Sequence, residues 1–82
     1  MLTIEQIRNA IKTSEVAIDA MSMPVDKTFS DLGLDSIDVF NIIIELQIIT
    51  LIEIPYADIK ILQSIEKIYQ YFEKKASLQA PA

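Results

Sequence analysis

The sequence predicts a small all-α domain, a four-helix bundle with three long helices, one short helix and a long loop between the first two. Two observations carry this prediction: apolar residues recur at helical spacing, and capping residues precede the helical segments. The chain has 82 residues and 51% hydrophobic content, near the lower size at which a core alone supports folding. We expect one domain over residues 1–75 and a disordered tail over residues 76–82, which are small, polar and interrupted by proline.

The first helix is expected from Ile4 to about Ser14. Thr3 can cap it in a capping box with Gln6, and isoleucines at positions 4, 7 and 11 then share one face. In residues 15–28 the apolar residues do not recur at a regular helical or strand spacing. Pro24 argues against a continuous helix there, so this segment is predicted to be a long loop.

The second helix is expected from Ser36 to about Ile49 or Thr50. Gly33, the one glycine of the chain, is suited to a tight turn with positive φ, and Asp35 and Asp38 can form a capping box. The many β-branched residues favour a strand by propensity. However, strict alternation is absent and the segment is longer than an ordinary strand, so the helix is the better prediction.

Two further helices follow. A proline at position 55 ends an extended connection, and a short helix is expected around Tyr56 to Ile61. Ser64 can cap a last helix that runs through Lys75, with Lys74 and Lys75 in its final turn, where cations favour the helix dipole.

The composition excludes several classes of protein. There is no cysteine and no histidine, which removes disulfides, thiolate nucleophiles, imidazole bases and the usual zinc ligands, so a self-contained enzyme is not expected. Residues 26–58 carry one basic and seven acidic groups, and this surface repels nucleic acid and favours basic protein partners. The longest apolar stretch is interrupted by charges, and the N-terminus lacks the features of a secretion signal. We therefore expect no membrane insertion and a cytoplasmic location.

The closely spaced aspartates do not match the pattern of an EF-hand calcium site. An EF-hand loop that began at Asp26 would need glycine at its sixth position and glutamate at its twelfth, where this chain has Asp31 and Ile37. No specific metal site is predicted, although clustered carboxylates allow weak cation binding.

One run carries the chemistry, and it places a serine at a predicted helix start: Phe29-Ser30-Asp31-Leu32-Gly33-Leu34-Asp35-Ser36-Ile37-Asp38. It resembles the phosphopantetheine attachment motif of acyl carrier proteins, in which Asp-Ser-Leu or Asp-Ser-Ile follows a Leu-Gly-hydrophobic turn. Glu45-Leu46 and Glu53-Ile54-Pro55 match the family downstream. The resemblance spans about residues 3–72.

The resemblance implies that Ser36 carries 4'-phosphopantetheine, derived from coenzyme A, while Asp35 and Asp38 contact the phosphopantetheinyl transferase. It also implies a non-catalytic carrier that holds acyl groups as thioesters for acyl-transferring, condensing or ligase enzymes. Fatty-acid, polyketide-like and other lipid or secondary biosynthesis remain open as pathways, although the Leu-Gly-Leu-Asp-Ser form is closer to acyl than to peptidyl carriers. A monomer is expected, with self-association possible.

The second helix has two apolar faces at 100° per residue. Measured from Ser36, the predicted core face lies between about 220° and 320°. It comprises Val39, Ile42, Leu46, Ile49 and Thr50. A second group, here called the apolar stripe, lies between about 40° and 120°, on the same side as Ser36 and next to Asn41. It comprises Ile37, Phe40, Ile44 and Ile48.

The apolar stripe and Asn41 are predicted to bind partners, because contiguous exposed apolar patches usually mark interaction sites. The family usually has several glutamates on this helix, whereas this chain has Asn41, Gln47 and Ile48 at the positions where that acid is expected. The alternative is that the stripe is buried by the fold or by a second copy of the chain. A helical interaction module that uses the stripe without any prosthetic group is the main alternative function. The other apolar residues at helical spacing are predicted to be core, namely Phe29, Leu32, Leu62, Ile65, Ile68, Tyr71 and Phe72.

Overall fold

The computed structural model describes residues 2–16 and 18–79, the last four of them as backbone only. In chain order it contains α1 (Ile4–Thr13), α2 (Ser36–Thr50), a 3₁₀ helix (Tyr56–Ile61) and α3 (Ile65–Gln79). Within the described residues there is no strand, which confirms the all-α prediction. Among those residues, no helix is both long enough and apolar enough to span a membrane.

The core forms around α1, which packs against both α2 and α3. The predicted capping box at Thr3 is present, and it starts α1 at a point that buries Ile7 and Ile11 completely. Ile4 lies at the edge of this face and is 36% exposed. The rest of the bundle completes the core with buried side chains on α2 and α3 and just after the 3₁₀ helix, including Ile42, Ile43, Leu46, Leu62, Ile65 and Ile68.

Arg8 holds the long loop against α1. Its Nη1 donates hydrogen bonds to the backbone carbonyls of Ala20 at 2.7 Å, Met21 at 3.2 Å and Met23 at 2.8 Å. One guanidinium nitrogen therefore donates to three backbone carbonyls. These carbonyls belong to a segment without helix or strand, so they have no partners from regular secondary structure.

The other end of the loop is tied to the start of α3. The Phe29 N–H donates to the carbonyl of Gln63 at 2.7 Å, and the Glu66 N–H donates to the carbonyl of Val25 at 3.0 Å. The Phe29 ring is completely buried. These contacts place the residues just before α2 at a defined position on the bundle.

The side of α2 that faces the core differs slightly from the prediction. Ile49 was assigned to the core face, but it is 48% exposed, while Ile43 is 1% exposed and was not assigned there. The buried residues of α2 lie between about 240° and 340° from Ser36, so the buried face is rotated by about 20° from the predicted one. Thr50, also assigned to that face, is partly buried.

Two other expectations need correction. The last helix continues four residues beyond Lys75, so the lysines at 74 and 75 do not lie in its final turn. Leu32 and Tyr71, expected in the core, are only partly buried and pack against its edge. Residues 80–82 of the expected tail lie outside the described residues.

We predict that Arg8→Met lowers the free energy of unfolding by about 2 kcal/mol, because partly buried carbonyls lose their donor while the apolar stem of the side chain is kept. Urea denaturation measures this difference. Lys12→Met, an exposed position on the same helix, is the matched control and should change stability by less than about 0.5 kcal/mol. Equal stability of the two variants would show that the Arg8 bonds do not hold the loop.

Candidate functional site

A tight turn leads into α2. Gly33 has φ +89°, a left-handed conformation that residues with a side chain disfavour, and no atom beyond its two neighbouring residues lies within 4 Å of where a Cβ would be. Glycine is therefore needed here for its backbone conformation and not for space. The Leu34 N–H then donates to the Phe29 carbonyl at 2.9 Å, and Leu34 itself is buried, which anchors the turn to the core.

Two aspartates define the first turn of α2. The Asp38 N–H donates to Asp35 Oδ1 at 2.9 Å, and the Asp35 N–H donates to Asp38 Oδ2 at 3.2 Å. This reciprocal capping box was predicted and is confirmed. Each carboxylate accepts from the backbone N–H of the other residue, and both stand next to Ser36, the first residue of the helix.

Ser36 is exposed and lies where two grooves meet. The larger groove has a volume of about 550 Å³ and separates the start of α2 from the 3₁₀ helix. Its lining is mainly apolar and comprises Ser36, Ile37, Phe40, Tyr56, Ala57, Ile59, Lys60 and Gln63. The smaller groove, of about 300 Å³, runs from Ser36 towards Ser30 and Leu34.

The residues of the 3₁₀ helix that line the larger groove were not assigned to a site from the sequence. Tyr56, Ala57, Ile59 and Lys60 lie 20 or more residues after Ser36, and no sequence pattern indicates which side of the bundle a single short helix occupies. The short helix itself was predicted at the correct bounds, Tyr56–Ile61. Its position beside Ser36 is a result of tertiary packing.

The wall formed by the 3₁₀ helix is fastened to α3 by one side-chain pair. The Tyr71 hydroxyl donates to Asp58 Oδ2 at 2.7 Å, and Lys75 Nζ lies 5.3 Å from the centroid of the Tyr71 ring. None of the six residues of the 3₁₀ helix is fully buried, so this bond matters for its placement. Burial, followed by the hydrogen bond and negative charge of Asp58, raises the pKa of Tyr71 to about 12.

Two of the predicted partner-binding residues, Ile37 and Phe40, line the α2 side of the larger groove. Ile37 is 68% exposed, Phe40 46%, Ile44 36% and Ile48 59%, and Asn41 is exposed beside them. The fold therefore leaves the apolar stripe uncovered. Among the described residues, no group of three or more acidic side chains is arranged to hold a metal ion.

A family model described as "Phosphopantetheine attachment site" matches residues 5–72. The chain belongs to this family. Its members bind 4'-phosphopantetheine covalently on a serine, and such domains are generally carriers and not catalysts. Membership also implies interaction with a phosphopantetheinyl transferase and with acyl-handling enzymes. No curated protein and no solved structure shows significant similarity to the chain.

We predict that Tyr71→Phe lowers the free energy of unfolding by about 1 kcal/mol at neutral pH, because the Asp58 bond is lost. The pKa of Tyr71 is raised in the folded state from 10.0 to about 12, so its stabilising contribution is complete below pH 10 and disappears as the pH rises through about 12. The difference between wild type and variant should shrink over that range in urea denaturation.

Absorbance of tyrosinate provides a second measurement. Tyr71→Phe should remove the tyrosinate signal that appears near pH 12, whereas Tyr69→Phe, two residues earlier on α3, should retain it. If Tyr71→Phe is as stable as wild type at neutral pH, the hydrogen bond from Tyr71 to Asp58 does not hold the 3₁₀ helix in place.

Proposed function

We propose that this protein is an acyl carrier protein that holds acyl groups as thioesters on a 4'-phosphopantetheine arm attached to Ser36. The observation that carries the proposal is the exposed hydroxyl at the first residue of α2, at the junction of two grooves, within a chain that belongs to the phosphopantetheine family. The arm supplies the thiol that a chain without cysteine lacks.

A comparison of the serines supports Ser36 as the attachment point. Five lie within the matched residues 5–72, and three of them are already engaged. Ser14 Oγ donates to the Ile11 carbonyl at 2.6 Å, Ser22 Oγ donates to Asp19 Oδ2 at 2.9 Å, and Ser64, 4% exposed, caps α3 through the Lys67 N–H. Ser30 and Ser36 remain as exposed candidates, and Ser36 alone of these two begins a helix.

The surroundings of Ser36 suit a 4'-phosphopantetheine group. The first N–H groups of a helix have no partner within the helix and favour an anion such as a phosphodiester. The capping box uses the Asp38 N–H, which leaves the N–H groups of Ser36 and Ile37 at the helix start. The larger groove also provides an apolar surface beside the hydroxyl.

The loading reaction would be catalysed by the transferase, with this chain as its substrate. Ser36 Oγ attacks the phosphorus of coenzyme A that bears the pantetheine, the bond from that phosphorus to 3',5'-ADP breaks, and the hydroxyl proton passes to a base of the transferase. Asp35 and Asp38 are exposed or partly exposed beside Ser36 and are available for contact with that enzyme. The need for coenzyme A supports a cytoplasmic location.

The partners beyond the transferase would be acyl-transferring, condensing or ligase enzymes of fatty-acid, polyketide-like or other lipid or secondary biosynthesis. Asp38 and Glu45 are the two charged residues of α2. A carrier that meets many enzymes through acidic side chains would be expected to have more of them, so a specialised pathway is favoured over general fatty-acid synthesis.

We predict that incubation of the chain with coenzyme A and a broad-specificity phosphopantetheinyl transferase increases its intact mass by one phosphopantetheinyl group. Ser36→Ala should show no increase. Ser30→Ala is the matched control, because Ser30 is also exposed and lines the smaller groove, and it should be loaded as wild type is.

An unchanged mass of the wild type would contradict the carrier function and leave the helical interaction module as the better explanation. Loading of Ser36→Ala, together with loss of loading in Ser30→Ala, would show that the arm is attached to Ser30 instead.

A further inference from the structure

We propose that Lys60 is the counterion of the phosphodiester that joins the arm to Ser36, and that this ion pair directs the arm into the larger groove. This inference rests on the proposed function. It gives a role to a side chain of the 3₁₀ helix and names the direction in which the arm leaves the attachment point.

The two grooves that meet at Ser36 differ in charge. Among the described residues that line the larger groove, Lys60 is the one with a charged side chain. The smaller groove contains Asp35 and, among its described lining residues, no lysine or arginine. A phosphodiester on Ser36 therefore has an ammonium group on one side and a carboxylate on the other, and electrostatic attraction favours the larger groove.

The register of the 3₁₀ helix explains why Lys60 lines the groove and its acidic neighbour does not. A 3₁₀ helix has about three residues per turn, so residues three apart in the sequence lie on the same side. Two of its three sides line the groove, one with Tyr56 and Ile59 and the other with Ala57 and Lys60. Asp58 belongs to the third side, which is not part of the lining.

The carboxylate of Asp58 is also engaged away from the groove. It accepts the hydrogen bond from the Tyr71 hydroxyl at 2.7 Å, which holds it against α3. The acidic and the basic side chain of the 3₁₀ helix are thus separated, with the acid on the α3 side and Lys60, which is exposed, on the side of Ser36. The ammonium group therefore remains available to an anion in the groove.

The charge of the surrounding segment makes a cation here useful. Residues 26–58 carry one basic and seven acidic groups, and Asp35 and Asp38 stand next to Ser36. Attachment of phosphopantetheine adds a further negative charge at this place, and like charges repel each other. Lys60 lines the same groove as Ser36, so its positive charge offsets part of that repulsion.

Covalent attachment favours a pair that would be weak between separate molecules. An exposed ion pair contributes little to stability, because water and salt screen it. Here the anion is already bonded to Ser36, so no free molecule has to be immobilised when the pair forms. The apolar lining at Ile37, Phe40 and Ile59 also suits the dimethyl-substituted carbon that lies close to the phosphate in the arm. Charge and apolar contact therefore favour the same groove.

The first experiment compares the Tm of the unloaded protein with that of protein that carries the arm without cargo. In Lys60→Gln, attachment of the arm should lower Tm by about 3 °C more than in wild type, because the added charge has no counterion. Lys67→Gln is the matched control, since Lys67 is exposed on α3 and does not line the groove, and it should respond as wild type does. The excess loss should fall below about 1 °C in about 0.5 M NaCl, which screens exposed charges. Each variant is compared with its own unloaded form, so the effect of the substitution on folding cancels.

The second experiment locates the arm by NMR. In loaded wild type, the methyl protons close to the phosphate should show nuclear Overhauser contacts to Phe40 and Ala57, which line the larger groove and not the smaller one. Leu34 and Val39 line the smaller groove and not the larger one, so they should show no such contacts. Lys60→Gln should weaken the contacts to the larger groove, because the charge that favours it is removed.

The possible failures are distinguishable. If the wild type gains no mass, the carrier function fails and the role of Lys60 fails with it. If it is loaded but Lys60→Gln and Lys67→Gln respond alike, or if the arm contacts Leu34 and Val39 or neither groove, the ion pair is overturned and the carrier function stands. An effect of Lys60→Gln that appears only when the transferase attaches the arm from succinyl-coenzyme A would also overturn it, and would assign Lys60 to a carboxylate of the cargo.

Discussion

The reciprocal hydrogen bonds between Asp35 and Asp38 determine where α2 begins, and the arrangement of the site depends on that starting point. In a helix each residue is turned by 100°, so the register of α2 against the core decides which of its side chains face outward. With the helix starting at Ser36, Val39, Ile42, Ile43 and Leu46 face the core, while the hydroxyl and the apolar stripe face outward. The turn at Gly33 and the buried Leu34 place this capping box on the surface of the bundle.

The same region combines local rigidity with exposure of apolar groups. The segment before α2 is tied to α3 through the Phe29 and Glu66 N–H groups, and Arg8 holds its earlier part against α1. A small domain obtains most of its stability from burial of apolar surface, so large uncovered side chains on α2 contribute little to folding. Their presence next to the Ser36 hydroxyl agrees with the proposed function, in which other proteins bind to this chain and perform its chemistry.

Local elements were predictable because their determinants are close together in the sequence. Thr3 with Gln6 and Asp35 with Asp38 are pairs three residues apart, and both capping boxes form as expected. The positive φ of Gly33 and the bounds of the 3₁₀ helix were also anticipated. The boundary at Lys75 was placed too early, since charged residues in a helix interior resemble those of a last turn. Ile49 was wrongly assigned to the core face and the buried Ile43 was left out of it, because periodicity defines an apolar face only to within a few tens of degrees.

By itself, the sequence determined the helical class, the start of α2 and the serine presented there, because capping, turn conformation and helical spacing act between neighbouring residues. Tertiary structure alone decided that the 3₁₀ helix lies beside Ser36, that Tyr71 fastens it through Asp58, and that the two form an apolar groove with α2. It also decided that Leu51 adopts a left-handed cap with its side chain in solvent. These features join residues distant in the chain or depend on which surfaces remain uncovered after packing, and no local pattern contains that information.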